Sequence, residues 1–202
     1  MNTNDELFTS INEHLLGDEK PSIYLNKICK TPEFKVYPFN MLLALQDSKQ
    51  SPKHHPEGNV WNHTMLVVDE AANRKYQSKD AEVFMWAALL HDIGKPPTTK
   101  VRKGRITSYN HDTFGAKLAD EFLSSLDAPK DFIDSTCALV RFHMHVLYVI
   151  NNLPFGNVQK LKQCTDVHEL ALLGLCDRLG RTGSSISEEE KNIQLFLSKI
   201  QE

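Results

Sequence analysis

The stretch from Lys79 to Asp92 limits the fold more than any other part of this chain. Val83, Phe84, Trp86, Ala87, Leu89 and Leu90 fall so densely that the segment reads as a helix apolar on nearly every side. Such a helix has to be surrounded, and the rest of the chain offers further helices to do it. Apolar residues elsewhere recur mostly at helical spacing, and alternating β-branched runs are nearly absent. The fold class is therefore all-α, with 79–92 in the middle.

A length of 202 residues suffices for one well-buried core and is short for two. The chain 1–202 reads as a single domain, with N-terminal helices in 1–50, a functional core in 51–181 and a C-terminal helix in 182–202. Asn4 is placed to cap a first helix running to Leu16 and ended by Gly17. Helices are expected over Ser22–Ile28 and Phe39–Leu45, split by Thr31-Pro32 and Tyr37-Pro38, then from Asn62 to about Tyr76. Others are expected near 112–126, 130–145 and 166–180. A last one opens at Ser187, where Ser187-Glu188-Glu189-Glu190 fits a capping box. Between them lie a breaker-rich loop at Gln50–Gly58, an abrupt stop at Ile93-Gly94-Lys95-Pro96-Pro97, and a basic segment, Lys100–Arg105, read as an exposed flap.

Bulk properties mainly exclude. No apolar run approaches the roughly 20 residues that span a bilayer, and Met1–Glu6 is acidic, unlike a signal peptide. No membrane partner is expected, and the default compartment is the cytoplasm. Cys29, Cys137, Cys164 and Cys176 form no CxxC pair, so they read as buried free thiols. A formal net charge of -3 gives no case for sequence-independent binding of long nucleic acid.

Histidine carries the chemistry, at nine residues in 202. His91 and Asp92 are adjacent, and adjacent residues on a helix point about 100° apart. Both reach one ion only near a helix end, which Gly94 and Pro96 supply. Alone, the pair would read as a polar C-terminal turn. Its company changes that reading: His63 opens a helix, His111 precedes another, His143 comes late in Ala138–His143, and Asp177 follows Leu172–Cys176. Imidazole with carboxylate suits Fe, Mn, Zn, Ni or Co, and carboxylate also suits Mg. The lack of cysteine disfavours a structural zinc. A buried Asp177 without a partner would cost several kcal/mol, so it is paired or bound to metal.

In these motifs the chain resembles the HD-domain phosphohydrolases, whose pattern is a His, an adjacent His-Asp and a distant Asp: here His63, His91-Asp92 and Asp177. His91-Asp92-Ile93-Gly94-Lys95 looks like the HDIG variant. The match extends to the HD portion of bacterial CCA-adding tRNA nucleotidyltransferases, through His55–Thr64, Gly104–His111 and Asp177-Arg178-Leu179-Gly180-Arg181. It covers roughly residues 20 to 181. The nucleotidyltransferase head, with its Gly-Ser and paired-Asp motifs, is missing, so CCA addition is expected to be absent.

The resemblance implies a helical bundle around a metal centre holding one or two divalent ions. His63, His91, Asp92 and Asp177 suffice for one; His111 and His143 match the extra ligands of two-metal members, with Asp92 as bridge. His145 is a rival to His143, and otherwise a solvent-exposed histidine. Catalytic roles fall on Asp92 and Lys95, with a metal-activated hydroxide attacking phosphorus. Lys95 either holds a phosphate oxygen or is only a helix-end lysine. Arg178 and Arg181 are candidate substrate contacts, Arg181 being equally able to orient Asp177 or to form a plain helix salt bridge. His54, His55 and Glu57 are pocket candidates or surface loop residues.

The expected function is hydrolysis of a phosphate ester of a nucleotide or similar small molecule, as a phosphatase or 2′,3′-cyclic phosphodiesterase. One alternative is RNA-end processing, with Lys100, Arg102, Lys103 and Arg105 gripping the backbone unless they are merely a solvated loop tip. Another is a regulatory module that binds a nucleotide without turnover, against which stands the complete ligand set.

Overall fold

The structure, a computed structural model, describes residues 3–201; Met1, Asn2 and Glu202, and with them the first residues of the acidic N-terminus, lie outside the described residues. Twelve α-helices, three single-turn 3-10 helices and one hairpin are formed among the described residues. They are α1 (Thr3–Gly17), α2 (Pro21–Ile28), α3 (Asn40–Leu43), α4 (Val60–Ala72), α5 (Ala81–Leu90), α6 (Lys95–Thr98), β1 (Thr99–Arg102), β2 (Arg105–Ser108), α7 (His111–Ser124), α8 (Lys130–Phe142), α9 (His145–Ile150), α10 (Val158–Cys164), α11 (Val167–Leu179) and α12 (Ile186–Gln201).

The expected central helix is α5. Asp80 caps it, its carboxylate accepting from the amides of Glu82 and Val83 at 3.1 Å. Every residue from Val83 to Leu90 is buried. α1, α4, α8 and α11 pack around it. Trp86 stacks on Phe8 with ring centroids 4.7 Å apart, and its indole N–H donates to Asn12 Oδ1 at 2.9 Å. One continuous hydrophobic cluster runs from Leu7 in α1 to Ile200 in α12.

Local expectations are corrected where tertiary contacts intervene. The first helix already includes Thr3, so Asn4 lies inside it and its side-chain amide donates to the Tyr37 carbonyl. The basic flap is an antiparallel hairpin, with Thr99 opposite Ser108 and Arg102 opposite Arg105. Pro96 and Pro97 open the short α6 rather than only stopping α5, because proline suits a first helical turn. The span 130–145 is two helices, broken after Phe142. α12 starts one residue before the capping box would set it, so Ser187 lies inside the helix. Cys29 and Cys176 are buried thiols as expected, but Cys137 is half-buried and Cys164 exposed.

α12 is fastened by charge as well as by its apolar stripe. Arg178 donates from Nε and Nη2 to the two carboxylate oxygens of Glu189, at 3.0 and 2.9 Å, and Asn192 adds a third bond at 2.9 Å. Burial would raise the Glu189 carboxyl, but these bonds outweigh it and hold it below the ordinary 4.5. A carboxyl depressed in the fold stabilises the protein above its unfolded value, and that contribution is lost as pH falls from about 4.5 through the folded value. Glu189→Gln is therefore expected to cost about 1.5–3 kcal/mol at neutral pH, with the difference shrinking below about pH 4.5. Urea denaturation of both proteins across that range checks it; a pH-independent difference would contradict the ion pair.

Candidate metal centre

Four separate elements deliver the histidines. His63 sits in the first turn of α4, whose N-cap Asn59 accepts from the Asn62 amide at 2.9 Å. His91 and Asp92 follow the last residue of α5. His111 opens α7 after Asn110, which takes the left-handed conformation (φ 60°) that asparagine tolerates. His143 stands in the break between α8 and α9. Asp177 lies in the last turn of α11, where Gly180 lets that helix meet α4: a Cβ at Gly180 would lie 2.5 Å from Val67 Cγ2 and 3.0 Å from its backbone nitrogen.

These side chains converge on Asp92. His91 Nε2 lies 3.2 Å from Asp92 Oδ2, and His63 Nε2 lies 3.9 Å from the same oxygen. On the other side, His111 Nε2 and His143 Nε2 lie 3.4 and 3.9 Å from Asp92 Oδ1. Asp177 Oδ1 is 3.0 Å from His63 Nε2. Two ligand groups result, His63 with His91 and Asp92, and His111 with His143 and Asp92, sharing the Asp92 carboxylate. All six side chains are buried.

The outer nitrogen of each ring is already held. His91 Nδ1 bonds to the Ala88 carbonyl at 2.8 Å, His111 Nδ1 to Ser108 at 2.7 Å, and His143 Nδ1 to Val140 at 2.7 Å. A carbonyl only accepts, so each Nδ1 must carry the hydrogen, leaving Nε2 of a neutral ring as a bare lone pair aimed inward. His63 Nδ1 lies 2.9 Å from Glu57 Oε1. Burial, then the neighbouring rings, push His143 down to about 3, and burial also lowers His111. Both rings are then neutral, yet their Nε2 atoms stand 3.1 Å apart. Two facing lone pairs repel unless a cation lies between or beside them. His91 Nε2 is buried without any hydrogen-bond partner. The donor set therefore fits divalent metal: nitrogen and oxygen ligands, no thiolate, and orphaned lone pairs converging on a shared carboxylate.

Electrostatics around the carboxylates agree. Burial would raise Asp92, but Lys95 and His91 hold it well below the carboxylate range. Asp177 is likewise depressed against its burial, by Arg181 and then His63. Glu57, which burial would raise, is held at about 2 by its bonds to His63 and His55.

The centre forms the floor of a cavity of about 780 Å³, lined in part by His54, His55, Asp92, Lys95, His111, His143, Asp177, Arg178 and Arg181. The sequence family match spans residues 59–182, from just before His63 to just after Arg181, and its model is that of the HD domain. The chain belongs to the HD-domain family. This makes it a member of a superfamily of metal-dependent phosphohydrolases. The HD-domain chain is also 28% identical over 174 residues to the Multifunctional CCA protein of Hahella chejuensis, covering 83% of this chain and 40% of that protein. It is 34% identical over 125 residues to the Multifunctional CCA protein of Halorhodospira halophila (61% and 28%). It is 31% identical over 146 residues to the A-adding tRNA nucleotidyltransferase of Deinococcus radiodurans (71% and 32%). The chain thus spans less than half the length of these relatives.

Several expected site residues of this HD domain are placed differently from their sequence reading. Glu57 does not line the cavity; it stands behind His63 and His55, 2.8 Å from His55 Nδ1. Arg178 reaches the cavity wall, but its Nε and Nη2 are committed to Glu189. Lys95 is not a free point charge: its ammonium lies 2.7 Å from Asp92 Oδ2 and donates to Gln50 Oε1 at 2.6 Å. Arg181 keeps the i, i+4 contact to Asp177 at 3.5 Å, while its Nε is buried without a partner.

His145 corrects the expectation of a solvent-exposed ring. It starts α9 and is buried, 4.8 Å from the Phe142 ring, outside the metal-ligand groups. Sequence reading missed Gln50, the acceptor for Lys95, and the Asp112–Arg141 pair at 2.6 Å on the cavity wall. Pairings 45 and 29 residues apart leave no local signal. Among the described residues no helix is long and apolar enough to cross a membrane.

Proposed function

We propose that this chain hydrolyses a phosphate ester of a nucleotide or similar small molecule, as a phosphatase or cyclic phosphodiesterase. The observation that carries this reading is the convergence of four imidazole Nε2 atoms and two carboxylates at the base of an open cavity that Asp92, His111, His143 and Asp177 line. His63, His91, Asp92 and Asp177 would hold one divalent ion, and His111 and His143 with Asp92 a second. Bound there, Fe, Mn, Ni, Co, Zn or Mg would supply Lewis acidity toward phosphoryl oxygens and an activated water.

The chain's own groups supply the rest. Glu57 and the Ala88, Ser108 and Val140 carbonyls fix the ring orientations. Arg181 lines the cavity with Nη2 3.5 Å from Asp177 Oδ2, so its guanidinium is placed to donate to a phosphate oxygen there. Lys95 stands against Asp92 and can share its ammonium with a phosphate oxygen once that carboxylate faces a cation. His55, pushed down to about 4 by burial and then by Lys95, lines the cavity as a neutral ring. The volume suits a small ester, within the roughly 300–1,000 Å³ of ligand pockets.

A second reading is hydrolysis at an RNA end. The hairpin that lines the cavity with Ile106 and Thr107 carries Lys100, Arg102, Lys103 and Arg105, all exposed, at and around its turn. The name of the A-adding tRNA nucleotidyltransferase among the relatives supports it.

Purified protein is expected to retain one to two equivalents of divalent metal per chain after supplementation with Mn, Ni, Co or Mg. Elemental analysis measures this. A panel of nucleoside monophosphates, 2′,3′-cyclic phosphates and short RNA ends, each with every metal, then tests turnover. Protein that keeps no metal and hydrolyses none of them would remove the reading.

A further inference from the structure

The wall of the cavity above the metal floor carries rings that the phosphate chemistry does not use. Tyr109, after the hairpin, is 62% exposed, and Phe155, in the turn after α9, is 67% exposed. Both line the cavity, as does Tyr148 of α9. Tyr148 and Phe155 meet edge to face, with centroids 5.6 Å apart and planes at 63°. Their frame is fixed by the Leu153 amide, which donates to the Tyr148 carbonyl at 2.8 Å. Tyr109 is steadied by the Arg102 guanidinium, 5.0 Å from its ring centroid.

Exposed rings scattered singly need no partner, but these line one cavity together with the metal floor. The charged groups toward phosphate, Lys95 and Arg181, cluster beside Asp92 and Asp177. The part of a substrate that reaches the ring wall meets the faces of Tyr109, Tyr148 and Phe155, with the paired Asp112 and Arg141 on the same wall. A sugar offers only a small, puckered C–H face and a short alkyl group less, so each covers little of these rings. A heteroaromatic base has a flat face, and aromatic side chains stack on it through offset or edge contacts.

We propose that Tyr109, Tyr148 and Phe155 form a nucleobase subsite that gives this hydrolase a preference for esters carrying an aromatic base over ringless phosphate esters. The inference rests on the phosphohydrolase reading for the word hydrolase, but the subsite can be tested apart from it. The probe is adenosine, which has no phosphate, titrated into metal-loaded protein by calorimetry. Phe155→Ala is expected to weaken adenosine binding about 10-fold, and Phe155→Trp to restore it.

In turnover, the ratio of kcat/KM for adenosine monophosphate to that for ribose 5-phosphate is expected to fall about 10-fold in Phe155→Ala, mainly through KM. Tyr76→Ala, an exposed ring off the cavity wall, is the control and should leave the ratio unchanged. Wild-type protein that fails to bind adenosine, or binds it as well after Phe155→Ala, overturns the subsite even if ribose 5-phosphate is hydrolysed. Ring-dependent adenosine binding in protein that hydrolyses no ester supports the subsite and overturns the hydrolase reading instead.

Discussion

Asp92→Ala is expected to abolish phosphate-ester hydrolysis, by about 1,000-fold or more, and to release bound metal. Its two oxygens face different histidine pairs, Oδ2 toward His63 and His91 and Oδ1 toward His111 and His143. Among the described residues Asp92 is the ligand common to both groups, so removing it dismantles both at once. The helical fold should persist, because Asp92 sits at a cavity floor after the end of α5 and not among the apolar residues of its core. Asp92→Asn separates shape from charge: it keeps the volume but weakens the ligand, and should also lose metal. Metal content, far-ultraviolet circular dichroism and initial rates on the same preparations test this. A variant that keeps both metal equivalents would show that Asp92 is not the shared ligand.

Gly94→Ala is expected to have the largest effect of any glycine replacement near the site. The backbone there is right-handed (φ −82°, ψ −7°), which any residue adopts, so conformational freedom is not the reason for glycine. Contact is. A Cβ would lie 2.1 Å from the His111 carbonyl oxygen, 2.5 Å from the Gly115 nitrogen and 2.8 Å from its Cα. All three are backbone atoms, so the turn after Asp92 and the start of α7 would have to part. Overpacking a core typically costs about 1–3 kcal/mol, and a clash with backbone should reach the top of that range or pass it. Because α7 carries His111, the same displacement should weaken metal binding. Gly104→Ala is the comparison: φ is +74° at the hairpin turn but nothing lies within 4 Å, so only about 1 kcal/mol of strain is expected. Urea midpoints and metal titrations of both variants measure the contrast. Equal midpoints for Gly94→Ala and wild type would show that the two backbones separate without cost.

Much of this was legible in the chain. Dense apolar spacing in 79–92 dictated a buried helix, since burial on all sides is the only state that hides Phe84, Trp86 and Leu89 together, and α5 is that helix. The ligand-type residues also announced themselves, because a histidine or aspartate beside an apolar run must be satisfied by something. What local pattern could not decide was which partner satisfies each one. From the sequence Arg178 is a candidate substrate contact and His145 either a rival to His143 or a surface ring. In the structure Arg178 reaches the cavity wall with Nε and Nη2 held by Glu189, and the break after Phe142 turns His145 into the interior, outside the ligand groups. His63 and Asp177 are 114 residues apart, and only the packing of α4 against α11, with Gly180 at the crossing, brings them within 3.0 Å. Secondary structure follows largely from spacing a few residues long, so the sequence alone determined the principal helices and the kinds of atoms available, though not α10 or the hairpin. The meeting of those atoms depends on side chains and missing side chains at remote crossings, and only the tertiary structure could decide it.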